Sequence, residues 1–368
     1  MNRPSVMKTS EMARRGLVRS ISVRRVLLTL PTSILSLVLL SAPANAQLYE
    51  WFDVGSLGGQ PHETYGSGIN SSGQVTGMSR LPDGSFHAFL YSAGLITDLG
   101  TLGGSGSFGA ALNDSGQVTG AALTSESVAH AFVYSNGTMT DIGAPGDGGS
   151  TGTGINAQGQ VSGYGQVGNG VLPFRYSNGT MELFGTLGGP NSLVYGINDS
   201  GEMTGWSETS MSDPTRHPVL ITNVVQDIDP NAIDSSGYAI NASGQITGVN
   251  LNSGFLYSNG TMIDLGDLGG GESRGLAINS AGHVTGASVP SDQGGTHAFL
   301  YRNGQMIDLN SAIDPANPLP SDITLTEATA INDCGWIVAN GLADLSTRHY
   351  AYLLIPVSGH VPPQCQLQ

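Results

Sequence analysis

A short motif occurs seven times in this chain of 368 residues: isoleucine or leucine, then asparagine, with a glycine three residues after the asparagine. The motif asparagines are Asn70, Asn113, Asn156, Asn198, Asn241, Asn279 and Asn332. Successive copies lie 43, 43, 42, 43, 38 and 53 residues apart. A repeat of this length is one supersecondary unit that cannot bury its apolar face alone, so the copies must stack on one another. The sequence therefore predicts a repeat architecture.

Each copy divides into four short segments with the alternating, β-branched and aromatic composition of strands. Strand A ends at the Ile-Asn, strand B reads Gln-Val-Thr-Gly, strand C reads His-Ala-Phe-Leu-Tyr, and strand D ends in Asp-Leu-Gly or a similar sequence. Asn-Gly pairs at 136–137, 178–179 and 259–260 favour tight hairpins between C and D. Four antiparallel strands form the blade of a β-propeller. The sequence therefore predicts an all-β, seven-bladed β-propeller of four-stranded blades.

The two ends of the repeat region carry unpaired strands. A lone D-type strand lies at 51–55 and a lone C-type strand at 350–354. We expect them to pair, so that the N-terminal strand completes the last blade and closes the ring without a free edge. A β-solenoid is the alternative repeat architecture. The 54 glycines fit many tight turns. With only 11% charged residues, the composition excludes a disordered acidic chain or a coiled coil.

Residues 1–46 differ in composition from the repeats. Seven of the 13 basic residues lie within 1–25, an apolar run follows, and Ser-Ala-Pro-Ala-Asn-Ala ends the segment at Ala46. This order is typical of a cleaved signal peptide, and the apolar run is shorter than the ~20 residues of a membrane span. We expect a signal peptide at 1–46, a propeller domain at 47–355 and a C-terminal tail at 356–368. The expected location is secreted or extracellular, with the periplasm as the alternative and the export route open.

Charge and cysteine content narrow the choice of partners. Residues 47–368 hold six arginines, no lysine and 27 acidic residues, which gives a net charge of −21. Such a surface repels nucleic acids and anionic membranes. We therefore expect no nucleic-acid partner. We also expect no membrane span after cleavage, and a monomer that binds an extracellular glycan or protein. Cys334 and Cys365 would form a disulfide in an oxidising compartment if they lie close together, which the sequence leaves open.

Several polar residues recur once per copy, which favours an architectural role. The histidines that begin strand C lie on different blades and cannot meet at one metal ion; they are His87, His130, His217 and His297. The acids before the D–A connection are expected to bind nearby backbone amides; they are Asp53, Asp98, Asp141, Glu182, Asp227, Asp264 and Asp308. The sequence contains no nucleophile elbow, phosphate-binding loop or zinc-binding helix. We expect no catalytic residues, cofactor or metal centre, with calcium binding as the alternative role for the acids.

The repeated pieces resemble the HAF-repeat family of probable bacterial extracellular repeat proteins. The family is named after His-Ala-Phe, which occurs here at 87–89, 130–132 and 297–299. The segment Asp-Leu-Gly-Thr-Leu-Gly-Gly at 98–104 and the Ile-Asn-x-x-Gly-Gln-Val pieces are similar to the family's companion motifs. The resemblance covers 47–355, although His-Ala-Phe is degraded in the third, fourth, fifth and seventh copies. It implies export and a repeat scaffold, and it implies no known activity.

The connections between strands B and C vary in length and sequence, whereas the A–B and C–D turns are nearly uniform. Variable loops on a rigid scaffold commonly carry binding residues. The side chains selected for ligand binding on this face are Arg80, Tyr164, Trp206, Asp213 and Arg216. The first hypothesis is a binding module for an extracellular glycan or protein, which a groove lined with aromatic residues would favour. The alternatives are a polysaccharide hydrolase or lyase, which clustered carboxylates would favour, and a purely structural protein.

Overall fold

The alternation of β-branched and small residues around each Asn-x-x-Gly turn folds the repeats into short strands. A computed structural model describes residues 47–368, except for 213, 293, 344–347, 358–364 and 366–368. Within these residues it contains 28 strands and one short 3₁₀ helix, Leu309–Ala312. The signal peptide predicted at 1–46 lies outside the described residues.

The strands form seven antiparallel sheets of four, which are the blades. Blade one is β2 (Thr64–Ile69), β3 (Val75–Arg80), β4 (Phe86–Ser92) and β5 (Leu95–Asp98); blade two is β6 (Gly103–Leu112), β7 (Val118–Thr124), β8 (Ala129–Ser135) and β9 (Thr138–Gly143). Blade three is β10 (Ser150–Ile155), β11 (Val161–Val167), β12 (Gly170–Ser177) and β13 (Thr180–Leu183); blade four is β14 (Ser192–Ile197), β15 (Met203–Glu208), β16 (Arg216–Ile221) and β17 (Val225–Asp227). Blade five is β18 (Ser235–Ile240), β19 (Ile246–Asn250), β20 (Ser253–Ser258) and β21 (Thr261–Asp264); blade six is β22 (Gly269–Ile278), β23 (Val284–Pro290), β24 (His297–Arg302) and β25 (Gln305–Asp308). Blade seven is β26 (Ile323–Ile331), β27 (Ile337–Ala343), β28 (His349–Pro356) and β1 (Tyr49–Asp53).

Each blade follows the predicted order A, B, C, D from its first strand to its last. In blade seven, β1 pairs antiparallel with β28, from Tyr49 opposite Pro356 to Asp53 opposite Tyr352. The seven-bladed propeller, and its closure by the N-terminal strand, are therefore confirmed. The A strands contact the A strands of both neighbouring blades, so they surround the axis; these inner strands are β2, β6, β10, β14, β18, β22 and β26.

The topology gives the ring two different faces. The A–B turns and C–D hairpins form the turn face, and the B–C and D–A connections form the variable-loop face. At the turn face, Nδ2 of each motif asparagine donates to the carbonyl oxygen of the motif asparagine in the next blade, at 2.9–3.2 Å in all seven cases. Its Oδ1 accepts the backbone N–H four residues later. The asparagine therefore stabilises its own turn and also ties the blades into a closed ring.

The hydrophobic core lies between neighbouring blades. The aromatic residue at the centre of strand C is 2% exposed or less in five blades, as Phe89, Phe132, Phe174, Phe255 and Phe299. Glycine lies opposite it on strand B, as Gly77 opposite Phe89. A Cβ atom at Gly77 would overlap the carbonyl oxygen of Tyr65 on the inner strand, so glycine at this position is required for the strands to pack closely.

The insertion that lengthens the last interval packs on the closing strand. The backbone N–H of Asp314 donates to the carbonyl oxygen of Tyr49 at 2.9 Å, and Nε1 of Trp51 donates to the carbonyl oxygen of Asn317 at 3.0 Å. The insertion at 309–322 therefore contacts β1 at Tyr49 and Trp51. A disulfide between Cys334 and Cys365 ties Cys365 to the A–B turn of blade seven.

Candidate functional site

The inner strands are uniform at one end and divergent at the other. At the turn face every inner strand ends in the same asparagine, whereas five and three positions earlier the residues differ from blade to blade. The residues five positions before the asparagine are Tyr65, Phe108, Thr151, Leu193, Ser236, Arg274 and Glu327, and those three positions before it are Ser67, Ala110, Thr153, Tyr195, Tyr238, Leu276 and Thr329. The hydrogen bonds of the motif asparagines, within each turn and between blades, explain the uniform end. The divergent end, which we call the mouth, carries the residues that distinguish one blade from another.

An aromatic cluster lies at the mouth where blades four and five meet. Nε1 of Trp206 donates to Oη of Tyr195 at 3.1 Å. The ring of Tyr195 packs edge to face on Tyr238 of the next blade, with centroids 5.3 Å apart and planes at 63°. The guanidinium of Arg216 covers the Trp206 ring at 4.6 Å from its centroid, and Trp206 is only 7% exposed. Tyr195 and Tyr238 are half-buried, so they are the aromatic surfaces that a ligand can reach.

Both phenols stay protonated well above neutral pH. Burial raises the pKa of Tyr195 above its usual value, although the hydrogen bond from Trp206 opposes the shift. Burial also raises the pKa of Tyr238, although Arg274 and Arg216 oppose this shift through their positive charge. Each hydroxyl can therefore donate one hydrogen bond and accept others at physiological pH.

Two arginines flank this cluster. Nε of Arg216 lies 3.8 Å from a carboxylate oxygen of Asp234, and an Nη of Arg274 lies 3.5 Å from Glu327. The two arginine side chains are 49% and 48% exposed. Exposed ion pairs at such distances contribute about 1 kcal/mol or less. The guanidinium groups are therefore free to exchange these partners for hydrogen-bond acceptors on a ligand.

A cavity of about 200 Å³ opens beside Tyr238, between blades five and six. Its polar wall includes Arg274, Glu272 and Asn252, and Leu251 contributes an apolar lip. The cavity follows from a difference in strand length: β19 has five residues, whereas β23 in blade six has seven. At about 3.3 Å per residue, the blade-five hairpin ends roughly 7 Å lower than its neighbour. The shortened blade therefore leaves a recess at the mouth.

The structure brings together only part of the residue set selected from the sequence. Trp206 and Arg216 are in contact, and Tyr164 lies near enough to Tyr195 to affect its pKa. Arg80 lies on β3 in blade one, where it pairs with Glu63 at 3.5 Å. Asp213 lies outside the described residues. The selected side chains therefore do not form one site, and Trp206 supports the site from beneath Arg216.

Sequence reasoning missed Tyr195, Tyr238 and Arg274. These residues belong to inner strands, whereas the sequence analysis selected residues from the variable connections between strands B and C. Aligning the seven copies on the motif asparagine would have found them, because aromatic and charged residues then stand out against serine, threonine and alanine at the same positions.

The repeated histidines and acids have architectural contacts. Nδ1 of each motif histidine lies 2.8–2.9 Å from the aspartate at the end of strand D, in the pairs His87–Asp98, His130–Asp141, His217–Asp227 and His297–Asp308. The same carboxylates accept the backbone N–H two residues later. Among the described residues, no group of three or more His, Cys, Asp or Glu side chains is placed to hold a metal ion.

A second cavity, of about 310 Å³, lies on the axis at the turn face. Motif asparagines line it together with Asp114, Asp199 and Asp333. Each of these carboxylates accepts a backbone N–H from the preceding blade at 2.8–2.9 Å. Their contacts therefore join blades, and the turn-face cavity belongs to the architecture.

No family model and no curated protein matches the chain, but solved propeller structures do. The extracellular domain of a putative hybrid two-component system from B. thetaiotaomicron has a TM-score of 0.50 and 13% identity, covering 84% of this chain and 39% of that chain. TolB from Acinetobacter baumannii has a TM-score of 0.39 and 11% identity, covering 66% of this chain and 64% of that one. A gluconolactonase from Xanthomonas campestris has a TM-score of 0.40 and 8% identity, covering 84% and 91%. This chain spans less than two thirds of the first two structures.

At such low identity the likeness is one of fold, the β-propeller.

A separate observation concerns membranes. In the part of the chain that the structure describes, no helix has the length and apolar character needed to cross a bilayer.

Proposed function

We propose that this chain is an exported β-propeller that binds an extracellular glycan at the mouth between blades four, five and six. The observation that carries the proposal is the pair of half-buried phenols, Tyr195 and Tyr238, in edge-to-face contact and flanked by the exposed arginines Arg216 and Arg274. A sugar ring has an apolar C–H face and a rim of hydroxyl groups. Aromatic surface beside convergent donors and acceptors is complementary to both.

The chemistry of the recess supports a glycan over a protein partner. The cavity beside Tyr238 is concave and mainly polar, with Glu272, Asn252 and Arg274 in its wall. Protein interfaces instead favour a broad contact area with an apolar centre. A protein partner remains the outcome to consider if the chain binds no glycan.

Substitution of Tyr238 tests the proposal. The purified protein is screened on an array of neutral and acidic oligosaccharides, and the best ligand is titrated by calorimetry. We expect Tyr238→Ala to weaken binding at least tenfold, which corresponds to about 1.4 kcal/mol. Thr153→Ala is the matched control, because Thr153 occupies the same position in blade three; its affinity should stay within twofold of the parent. Binding that is unaffected by Tyr238→Ala, or absent across the array, would contradict the proposal.

The polysaccharide hydrolase or lyase remains the alternative function. A glycosidase places two carboxyl groups about 5–9 Å apart across the scissile bond. Two carboxylates lie at the mouth, and they belong to different blades. Glu327 contacts Arg274, and Asp234 contacts Arg216. The same calorimetric samples can be assayed for new reducing ends and for unsaturated products. Turnover of the bound glycan would assign the enzymatic function.

The proposal also includes the location, the family and the oligomeric state of the protein. The Cys334–Cys365 disulfide supports an oxidising compartment, which agrees with secretion or a periplasmic location. Membership of the HAF-repeat family, a monomeric state and the lack of a nucleic-acid partner remain predictions. Calcium binding is tested by repeating the titration with and without a chelator.

A further inference from the structure

The lip of the mouth cavity carries a side chain that its backbone conformation disfavours. Leu251 has a φ of 51°, in the left-handed region. Most non-glycine residues with positive φ in the described part of the chain are asparagine or aspartate, as at Asn136, Asn178, Asn259 and Asp234. Asparagine tolerates this region because its short polar side chain bonds locally, whereas a bulky apolar side chain gains nothing there. Local backbone energetics therefore do not explain the leucine.

Packing does not explain it either. Leu251 is 56% exposed, so its side chain contributes little to the core of blade five. It does line the cavity of about 200 Å³ beside Tyr238, Glu272 and Arg274. An exposed apolar group held in a strained conformation at the edge of a polar recess is the kind of outlier that points to a binding role.

From these observations we infer that the cavity takes a sugar residue bearing a methyl group, which contacts Leu251 while its polar groups meet Tyr238, Arg274 and Asn252. The inference rests on the glycan-binding function proposed above and adds the class of sugar. A methyl group of this kind occurs in an N-acetyl substituent or at the C6 position of a 6-deoxy sugar. Both sources present the same apolar contact, so the test distinguishes them.

The test uses Leu251→Asn with two pairs of sugars that differ mainly in the methyl-bearing group: N,N′-diacetylchitobiose against cellobiose, and L-fucose against L-galactose. In the parent protein we expect the methyl-bearing member of one pair to bind about fivefold more tightly, which is the effect of burying roughly one methyl group. Leu251→Asn should remove this preference and raise the melting temperature by about 2 °C, because asparagine suits the backbone better. The pair that shows the preference identifies the source of the methyl group.

Ala93→Asn is the matched control. Ala93 also has a left-handed φ, of 49°, but lies in a C–D hairpin on the turn face. The control should gain thermal stability and keep the sugar preference. Equal binding within both pairs, or a preference that survives Leu251→Asn, would overturn the inference. The proposed function would still stand if Tyr238→Ala lost glycan binding. Failure of all four sugars and of the oligosaccharide array would overturn both.

Discussion

One asparagine side chain per blade carries out two tasks at the turn face. In blade three, Oδ1 of Asn156 accepts the N–H of Gln160 at 2.9 Å, and Nδ2 donates to the carbonyl oxygen of Asn198 in blade four at 3.1 Å. Asn156 is only 4% exposed. Buried polar groups that lose their partners cost more than the hydrogen bond itself contributes. The turn and the junction between blades therefore depend on the same few atoms.

We expect Asn156→Ala to lower the free energy of unfolding by about 2–4 kcal/mol, because it leaves the half-buried N–H of Gln160 without its partner and removes one of the two hydrogen bonds that the carbonyl oxygen of Asn198 accepts. Urea denaturation at constant pH measures the change. Asn178→Ala provides the control, since Asn178 lies at φ 50° in an exposed hairpin and makes no junction. It should cost about 1 kcal/mol. Equal losses in the two variants would argue against a ring of asparagines that stabilises the fold.

Sequence analysis predicted only the first of these two tasks. The glycine three residues after Asn156 indicates a tight turn, and the turn accounts for the asparagine. The bond to Asn198 joins residues 42 positions apart, and no local pattern specifies which carbonyl oxygen the side-chain amide of Asn156 will meet. The contacts of the motif histidines were predictable in kind, because histidines on separate blades cannot meet at one metal ion, which favours a structural hydrogen bond for each of them.

At the level of elements, closure of the ring is concentrated at β1. Tyr49 on this strand is 2% exposed, and its carbonyl oxygen accepts the N–H of Asp314 from the insertion at 309–322. Trp51 packs edge to face on Tyr352 of β28, with centroids 5.6 Å apart. The strand is therefore held on one side by β28 and on the other by the insertion.

Closure should weaken at alkaline pH. Burial raises the pKa of Tyr49 from 10 to about 12, partly opposed by Arg302. The unfolded chain releases this proton near pH 10 and the folded chain near pH 12. The stabilisation is therefore complete below pH 10 and is lost as the pH rises to 12, by about 3 kcal/mol. Urea midpoints measured between pH 9 and 12 follow the loss.

Tyr49→Phe separates this group from the other tyrosines. The variant keeps the packing and lacks the ionisable hydroxyl, so it should lose about 3 kcal/mol less than the parent across the same pH interval. Parallel curves for the two proteins would show that Tyr49 does not couple closure to pH.

The sequence predicted the elements better than their connections. Seven repeats and two unpaired terminal strands were enough to predict four strands per blade and the pairing of β1 with β28. The insertion after β25 offered no periodic pattern, so its path along the edge of β1 was not predictable. The interval of only 38 residues between Asn241 and Asn279 indicates a short connection in blade five, but its consequence, a cavity against blade six, depends on the height of the neighbouring strands.

For the whole molecule, the two ends of the axis differ in kind. The turn face repeats one hydrogen-bond scheme in all seven blades, which fixes the ring. The mouth breaks the repeat with Tyr195, Tyr238, Arg274 and Glu327. The described residues therefore place the side chains that distinguish one blade from another at the mouth of blades four to seven.

Hydrogen–deuterium exchange with and without a saturating glycan tests this division of the molecule most directly. The probe is the oligosaccharide with the highest affinity on the array. We predict slower exchange at 234–239, 249–254 and 270–275, which border the recess beside Tyr238, and unchanged exchange at the asparagine turns such as 70–74 and 198–202. Protection centred on the asparagine turns, or no protection at all with the glycan bound, would contradict a binding site at the mouth.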